Sequence, residues 1–160
     1  MLVLASSMQA YFREALNVAM RKSNVVFTDN AQVYVVHLLN EFSRSEKAFA
    51  GVNYGEKLIM AQFLERAYSS EEREALQIYR HLGDTSLYLL GFFKESSANR
   101  IVSDTYYKDM GSAAYACASG LSRAYAGKNA ALFQELSERF SDMVMVMETI
   151  AHYRDHQENS

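Results

Sequence analysis

The chain has 160 residues, 49% hydrophobic and 22% charged, with seven Gly, one Cys and neither Pro nor Trp. These fractions suit one folded domain and exclude wholesale disorder, a collagen-like repeat and a disulfide scaffold, while the dearth of helix breakers favours helices over strands. Sixteen Lys and Arg against 19 Asp and Glu leave a net charge of -3 with the basic residues scattered, so no stripe awaits a phosphate backbone and nucleic acid is not an expected partner.

The apolar run at Met1 to Ala5 is too short for a signal peptide and has no cation before it, which together with the lone Cys117 leads us to expect a cytosolic protein. Met8, Tyr11, Phe12, Ala15, Leu16, Ala19 and Met20 then fall on one face of a first helix over 6–22, which a Ser6-x-x-Gln9 capping box would open. Val25 to Phe27 reads as an extended connector. Thr28 or Asp29 caps a second helix over 29–45, with Val35, Leu38, Leu39 and Phe42 toward the core. Asn53-x-x-Glu56 and Ser69-x-x-Glu72 open a third helix over 55–67 and a fourth over 70–97, whose stripe of Ala75, Ile78, Leu82, Leu89 and Leu90 is broad enough for a central position.

A fifth helix is expected over 103–126 and a sixth over 129–153, with Phe133, Leu136, Phe140, Met143, Met147 and Ile150 at heptad spacing and a polar tail, 154–160, that should fray. The longest stretch without a formal charge, Met110 to Ser122, is shorter than the ~18 apolar residues of a membrane span, so no membrane is expected. The expectation is an all-α, single-domain bundle of about six helices, with the fourth and fifth at its centre.

Chemistry-bearing motifs are sparse. No Glu-x-x-His occurs, and Glu148, His152 and His156 read as a polar face, so neither a metal nor a cofactor is expected. His37 reads as a hydrogen-bonded packing residue, His81 as solvated and Cys117 as a buried inert thiol. No catalytic residue can be named, and the balance leans against an enzyme.

Composition says more. The fifth helix carries the small-residue stretch Gly111 to Gly120, and the fourth aligns Gly83, Leu87 and Gly91 at i, i+4 and i+8. Small residues on neighbouring helices either bring backbones together, which would put Gly83, Gly91, Gly111 and Ala114 at close contacts, or leave room for a flat ligand. In the second case the seam would be formed by Gly83, Asp84, Gly91, Tyr107, Gly111 and Tyr115.

Two resemblances follow from these residues. Tyr79-Arg80-His81-Leu82-Gly83-Asp84-Thr85-Ser86 is similar to part of the distal-helix signature of heme oxygenases, which would imply a heme lying against the glycines; Leu87 and Tyr88 replace the signature's two following glycines, and no His near the N-terminus offers a proximal ligand. Leu82-Gly83-Asp84, Gly91-Phe92-Phe93, Ser96, Arg100, Tyr106-Tyr107, Met110-Gly111 and Ala114-Tyr115 resemble a family of short, all-helical bacterial proteins without a known activity, which implies a bacterial source and transfers no site.

Two surfaces are candidates for interaction. The reversal between the fourth and fifth helices offers Arg100 and Asp104, and Met145 falls opposite the core strip of the sixth helix, where Val144 and Val146 broaden the apolar girth; burial of that side against its copy would make a two-fold homodimer. The expected function is therefore a non-enzymatic helical protein working through protein contacts, as a homo-oligomer or with a protein partner. The alternative is a helical-bundle module that binds a small apolar or flat ligand.

Overall fold

The computed structural model describes residues 2–44, 71–92, 104–125 and 129–158, with side chains over 7–44, 71–92, 104–124 and 129–152. The expected third helix, Arg100 and the side chain of His156 lie outside these residues. Every regular element among them is a helix: α1 (Leu2–Ser23), α2 (Asp29–Arg44), α3 (Glu72–Gly91), α4 (Asp104–Tyr125), α5 (Ala130–Glu138) and α6 (Phe140–Glu158). The protein is all-α.

Phe12, Ala15, Leu16, Ala19 and Met20 of α1 are buried, as the period-3.6 stripe requires. The helix already begins at Leu2, so Ser6 lies inside it and the expected capping box does not open it. Nothing in Leu2 to Ala5 breaks a helix. Its C-terminus closes in a Schellman turn: Asn24 adopts φ 54°, and the amides of Asn24 and Val25 donate to the Arg21 and Met20 carbonyls at 3.3 and 3.0 Å.

Thr28 caps α2, its hydroxyl accepting from the Ala31 amide at 3.3 Å. The cap is itself held from α5, since the Glu135 carboxylate receives both the Thr28 amide at 2.9 Å and the Thr28 hydroxyl. Arg139 completes the clamp on the connector. Its guanidinium lies 4.3 Å from the Phe27 ring centroid and donates to the Val26 carbonyl at 2.6 Å.

Several expected boundaries move. The helix expected over 70–97 runs from Glu72 to Gly91, with Glu71 rather than Ser69 as its N-cap. The single helix expected over 129–153 is two, broken at Arg139, whose ψ of 27° departs from helical geometry while its amide still donates to the Glu135 carbonyl. The break turns Arg139 toward the connector, and a heptad pattern cannot register it because the apolar spacing continues across. Beyond Tyr153 the backbone stays helical to Glu158, past the expected start of fraying.

The α3–α4 pairing is the most extensive among the described residues, as the sequence led us to expect, and α6 packs against α1, α3, α4 and α5. Val144 and Val146 are therefore buried together with Met143, Met147 and Ile150, and among the large apolar residues of α6 whose side chains are described only Met145 is exposed. The glycines are close contacts. A β-carbon on Gly83 would stand 2.6–2.8 Å from the Tyr115 ring, one on Gly91 2.9 Å from the Met147 β-carbon, and one on Gly111 would run into the Phe140 ring.

Ala114 is buried on the same face of α4. Serines join α4 to α5, with Ser112 and Ser137 each donating to the other's carbonyl at 3.0 and 2.8 Å and Ser119 donating to the Ala130 carbonyl at 2.8 Å. Cys117, expected to be buried, is exposed. It shares the outer face of α4 with Ala113, Ala116 and Gly120.

Candidate functional site

Asp84 lies one helical turn beyond Arg80 on α3, and Gly83 beside it lets Tyr115 of α4 lie directly against the α3 backbone. That close approach sets the site. The Tyr115 hydroxyl donates to Asp84 Oδ1 at 2.6 Å, and Tyr34, reaching across from α2, donates to the same oxygen at 2.6 Å. Phe133 of α5 supports both rings, edge-on to Tyr34 at 5.9 Å and stacked with Tyr115 at 6.1 Å and an interplanar angle of 16°. One aromatic side chain thus fixes two donors on different helices.

Arg80 Nε donates to the Tyr34 hydroxyl at 3.0 Å, and its guanidinium carbon stands 5.4 Å from the Tyr34 ring centroid. It is 3.9 Å from Asp84 Oδ2, an ion pair without a hydrogen bond. One carboxylate oxygen is thus saturated by two hydroxyls while the other holds no donor among the described residues.

Burial raises the Asp84 pKa above its ordinary value; the hydrogen bonds from Tyr115 and Tyr34 and the charges of Arg80 and His81 lower it and do not outweigh burial. Burial, and next the charge of Asp84, push both tyrosine hydroxyls above their ordinary range. They are donors throughout the physiological range.

Asp84 is not sealed in. It meets a cleft of about 340 Å³ between α2, α3 and the start of α5, lined by Tyr34, His37, Leu38, Glu41 and Phe42 from α2, Arg80 and Asp84 from α3, and Leu132 from α5. Tyr34, His37, Leu38, Glu41 and Phe42 are spaced i, i+3, i+4, i+7 and i+8, one face of α2. His37, expected to be a packing residue, is exposed on this rim.

Of the seam residues named from sequence, Asp84 and Tyr115 meet at the carboxylate, and Gly83 forms the contact that brings them together. Gly111 receives the Phe140 ring and Ser86, Gly91 receives α6, and Tyr107 is fully buried. The surface of Gly83 that a heme would need is occupied by the Tyr115 ring, so the residues present do not fit that group. Asp104 opens α4 on the surface, and Met145 is 41% exposed on α6.

The opening lies on the α2 side of Asp84, away from the α3–α4 seam. Sequence reasoning missed Tyr34, Arg80, His37 and Glu41. The i, i+4 pair Arg80 and Asp84 and the polar line on α2 are visible in the sequence, but only the fold joins positions 46 and 50 residues apart.

No family model, curated protein or solved structure matches this chain. No helix among the described residues is long and apolar enough to cross a membrane, and no three His, Cys, Asp or Glu side chains among them converge as metal ligands.

Proposed function

We propose that this chain is a binding module that takes a small molecule in the cleft between α2 and α3, with Asp84 as the anchoring group. The observation that carries this reading is a largely buried carboxylate on the wall of an open cleft, with one oxygen saturated by Tyr34 and Tyr115 and the other holding no donor among the described residues. A charge removed from water is costly unless its hydrogen-bonding capacity is used, and a bound ligand would use the remaining half. The cleft volume is within the ordinary range for small-molecule sites, and its mixed wall of Tyr34, Phe42, Leu38 and Leu132 beside a few polar groups is typical of them.

Amide chemical shifts recorded against a panel of neutral, anionic and cationic water-soluble fragments test the reading. The amides of Tyr34, His37, Arg80 and Asp84 should move together with at least one fragment while those of Met143 and Ile150 stay in place. Shifts with none, or shifts spread over every helix, refute it.

A second reading, contact with protein, is supported by the exposure of Val26 at 75%, Val33 at 53% and Met145 at 41%. In this reading the chain is a cytosolic homodimer, in a compartment where the exposed Cys117 thiol stays reduced.

A further inference from the structure

Resting on the binding reading above, we infer that the ligand of the Asp84 cleft is a small protonated amine carrying a flat apolar body. The missing partner is a donor. Among the described residues Asp84 Oδ2 accepts no hydrogen bond, and Arg80 beside it has turned its Nε to the Tyr34 hydroxyl, leaving 3.9 Å to the carboxylate. Arg80 therefore supplies charge to Asp84 without occupying its lone pairs.

The donor is a cation because of the balance of charge in the wall. Among the described residues of the lining, Asp84 and Glu41 bring two carboxylates and Arg80 brings one guanidinium, beside His37 and the neutral Tyr34 hydroxyl. Two carboxylates against one guanidinium leave one surplus negative charge among these side chains, which an ammonium cancels and a carboxylate or phosphate doubles. A neutral hydroxyl would add one hydrogen bond to Oδ2 but no charge to offset the surplus carboxylate, whereas an ammonium supplies both, with donor and acceptor each ionised. A metal ion is disfavoured on its own terms, since no set of three ligating side chains converges there or elsewhere among the described residues.

The body of the ligand follows from the rest of the wall. Tyr34 and Phe42 offer aromatic surface, with Leu38 and Leu132 beside them. A cavity of about 150 Å³ already accommodates a benzene ring, so 340 Å³ leaves room for a ring and a short aminoalkyl arm. The ammonium meets Asp84 Oδ2, and the ring lies against the apolar side chains of the lining.

Phenethylamine, 2-phenylethanol and 3-phenylpropionate share a ring and differ in the charge at the end of the arm, so calorimetric and NMR titration of the whole chain with each separates the alternatives. Phenethylamine should bind at least about tenfold more tightly than the alcohol and move the Tyr34, His37 and Asp84 resonances, because both would donate to the carboxylate but only the ammonium brings a charge of its own. Asp84→Asn should remove that advantage. The amide oxygen still accepts from both tyrosines, so the variant keeps the fold, which its circular dichroism and aromatic NMR signals check.

Equal or tighter binding of the alcohol or of the propionate would overturn the inference about charge while leaving a binding cleft in place. Phenethylamine affinity unchanged in Asp84→Asn would overturn the role of the carboxylate. No shift at the cleft with phenethylamine would overturn the ligand class, and the broader fragment panel then decides separately whether the cleft binds anything.

Discussion

Replacing Gly83 by Ala adds one methyl group at the point where α3 and α4 touch. Its carbon would lie 2.6, 2.7 and 2.8 Å from three atoms of the Tyr115 ring, well inside van der Waals contact. The ring has nowhere to retreat: it is stacked on Phe133, tilted against Phe140 and tethered by its hydroxyl to Asp84. The helices must separate or the tyrosine must tilt and weaken its bond to the carboxylate.

Overpacking of this kind costs about 1–3 kcal/mol, and a weakened hydrogen bond to a charged group adds up to about 1.5–3 kcal/mol. Against these, Ala is better than Gly inside a helix by about 1 kcal/mol. A net loss of about 2 kcal/mol lowers Tm by roughly 4–8 °C for a chain of this size. Gly120 on α4 has nothing among the described residues within 4 Å of its would-be β-carbon and isolates the propensity effect. Gly120→Ala should therefore stabilise by about 1 kcal/mol. Urea unfolding of both variants, followed by circular dichroism, compares them directly. If Gly83→Ala were as stable as Gly120→Ala, the close contact with Tyr115 and the packing argument built on it would be wrong.

Asp84→Ala strips the acceptor from two buried tyrosine hydroxyls at about 1–3 kcal/mol each, whereas Asp84→Asn keeps the acceptor and should stay within about 1 kcal/mol of wild type; equal losses in chemical unfolding would show that the carboxylate does not organise the tyrosines. Because burial raises the Asp84 pKa above 3.8, the folded chain binds this proton more tightly than the unfolded chain, so the stability it contributes is present below that value and is lost as pH rises through the folded value. With Arg80, His81, Tyr34, Tyr115, His37 and Glu41 common to both proteins, the unfolding free energy of Asp84→Asn relative to wild type should rise over that interval, and a falling difference would refute the direction. Glu135→Ala, which releases the Thr28 cap from α5, should cost about 1 kcal/mol by thermal unfolding; no measurable change would mean that the clamp contributes nothing. Sedimentation at micromolar concentration should show a species near twice the chain mass that Met145→Glu shifts toward monomer, and a monomer throughout would dismiss the two-fold contact.

The helical class, the buried stripes of α1 and α2 and the α3–α4 pairing were legible in the residues because each depends on local periodicity or on the absence of breakers. Large apolar side chains at i, i+3, i+4 and i+7 have one way to leave water together, and Phe12, Leu16, Leu39 and Ile150 all end fully or almost fully buried. Small residues carry no such signal. Gly111, Ala114 and Ala118 face the core of α4 while Ala116, Cys117 and Gly120 face outward, because so little apolar area distinguishes the two faces.

The break at Arg139 and the opening of the cleft were decided by tertiary structure alone. Arg139 is drawn to the Val26 carbonyl 113 positions earlier, and no local propensity registers that partner. Asp84 could be named from the sequence, and so could Tyr115, but their joining through one carboxylate oxygen with Tyr34 depended on three helices meeting around Phe133. Hydrogen bonds are short-ranged and directional, so a polar site exists only where the chain's long-range packing brings its members within about 3 Å.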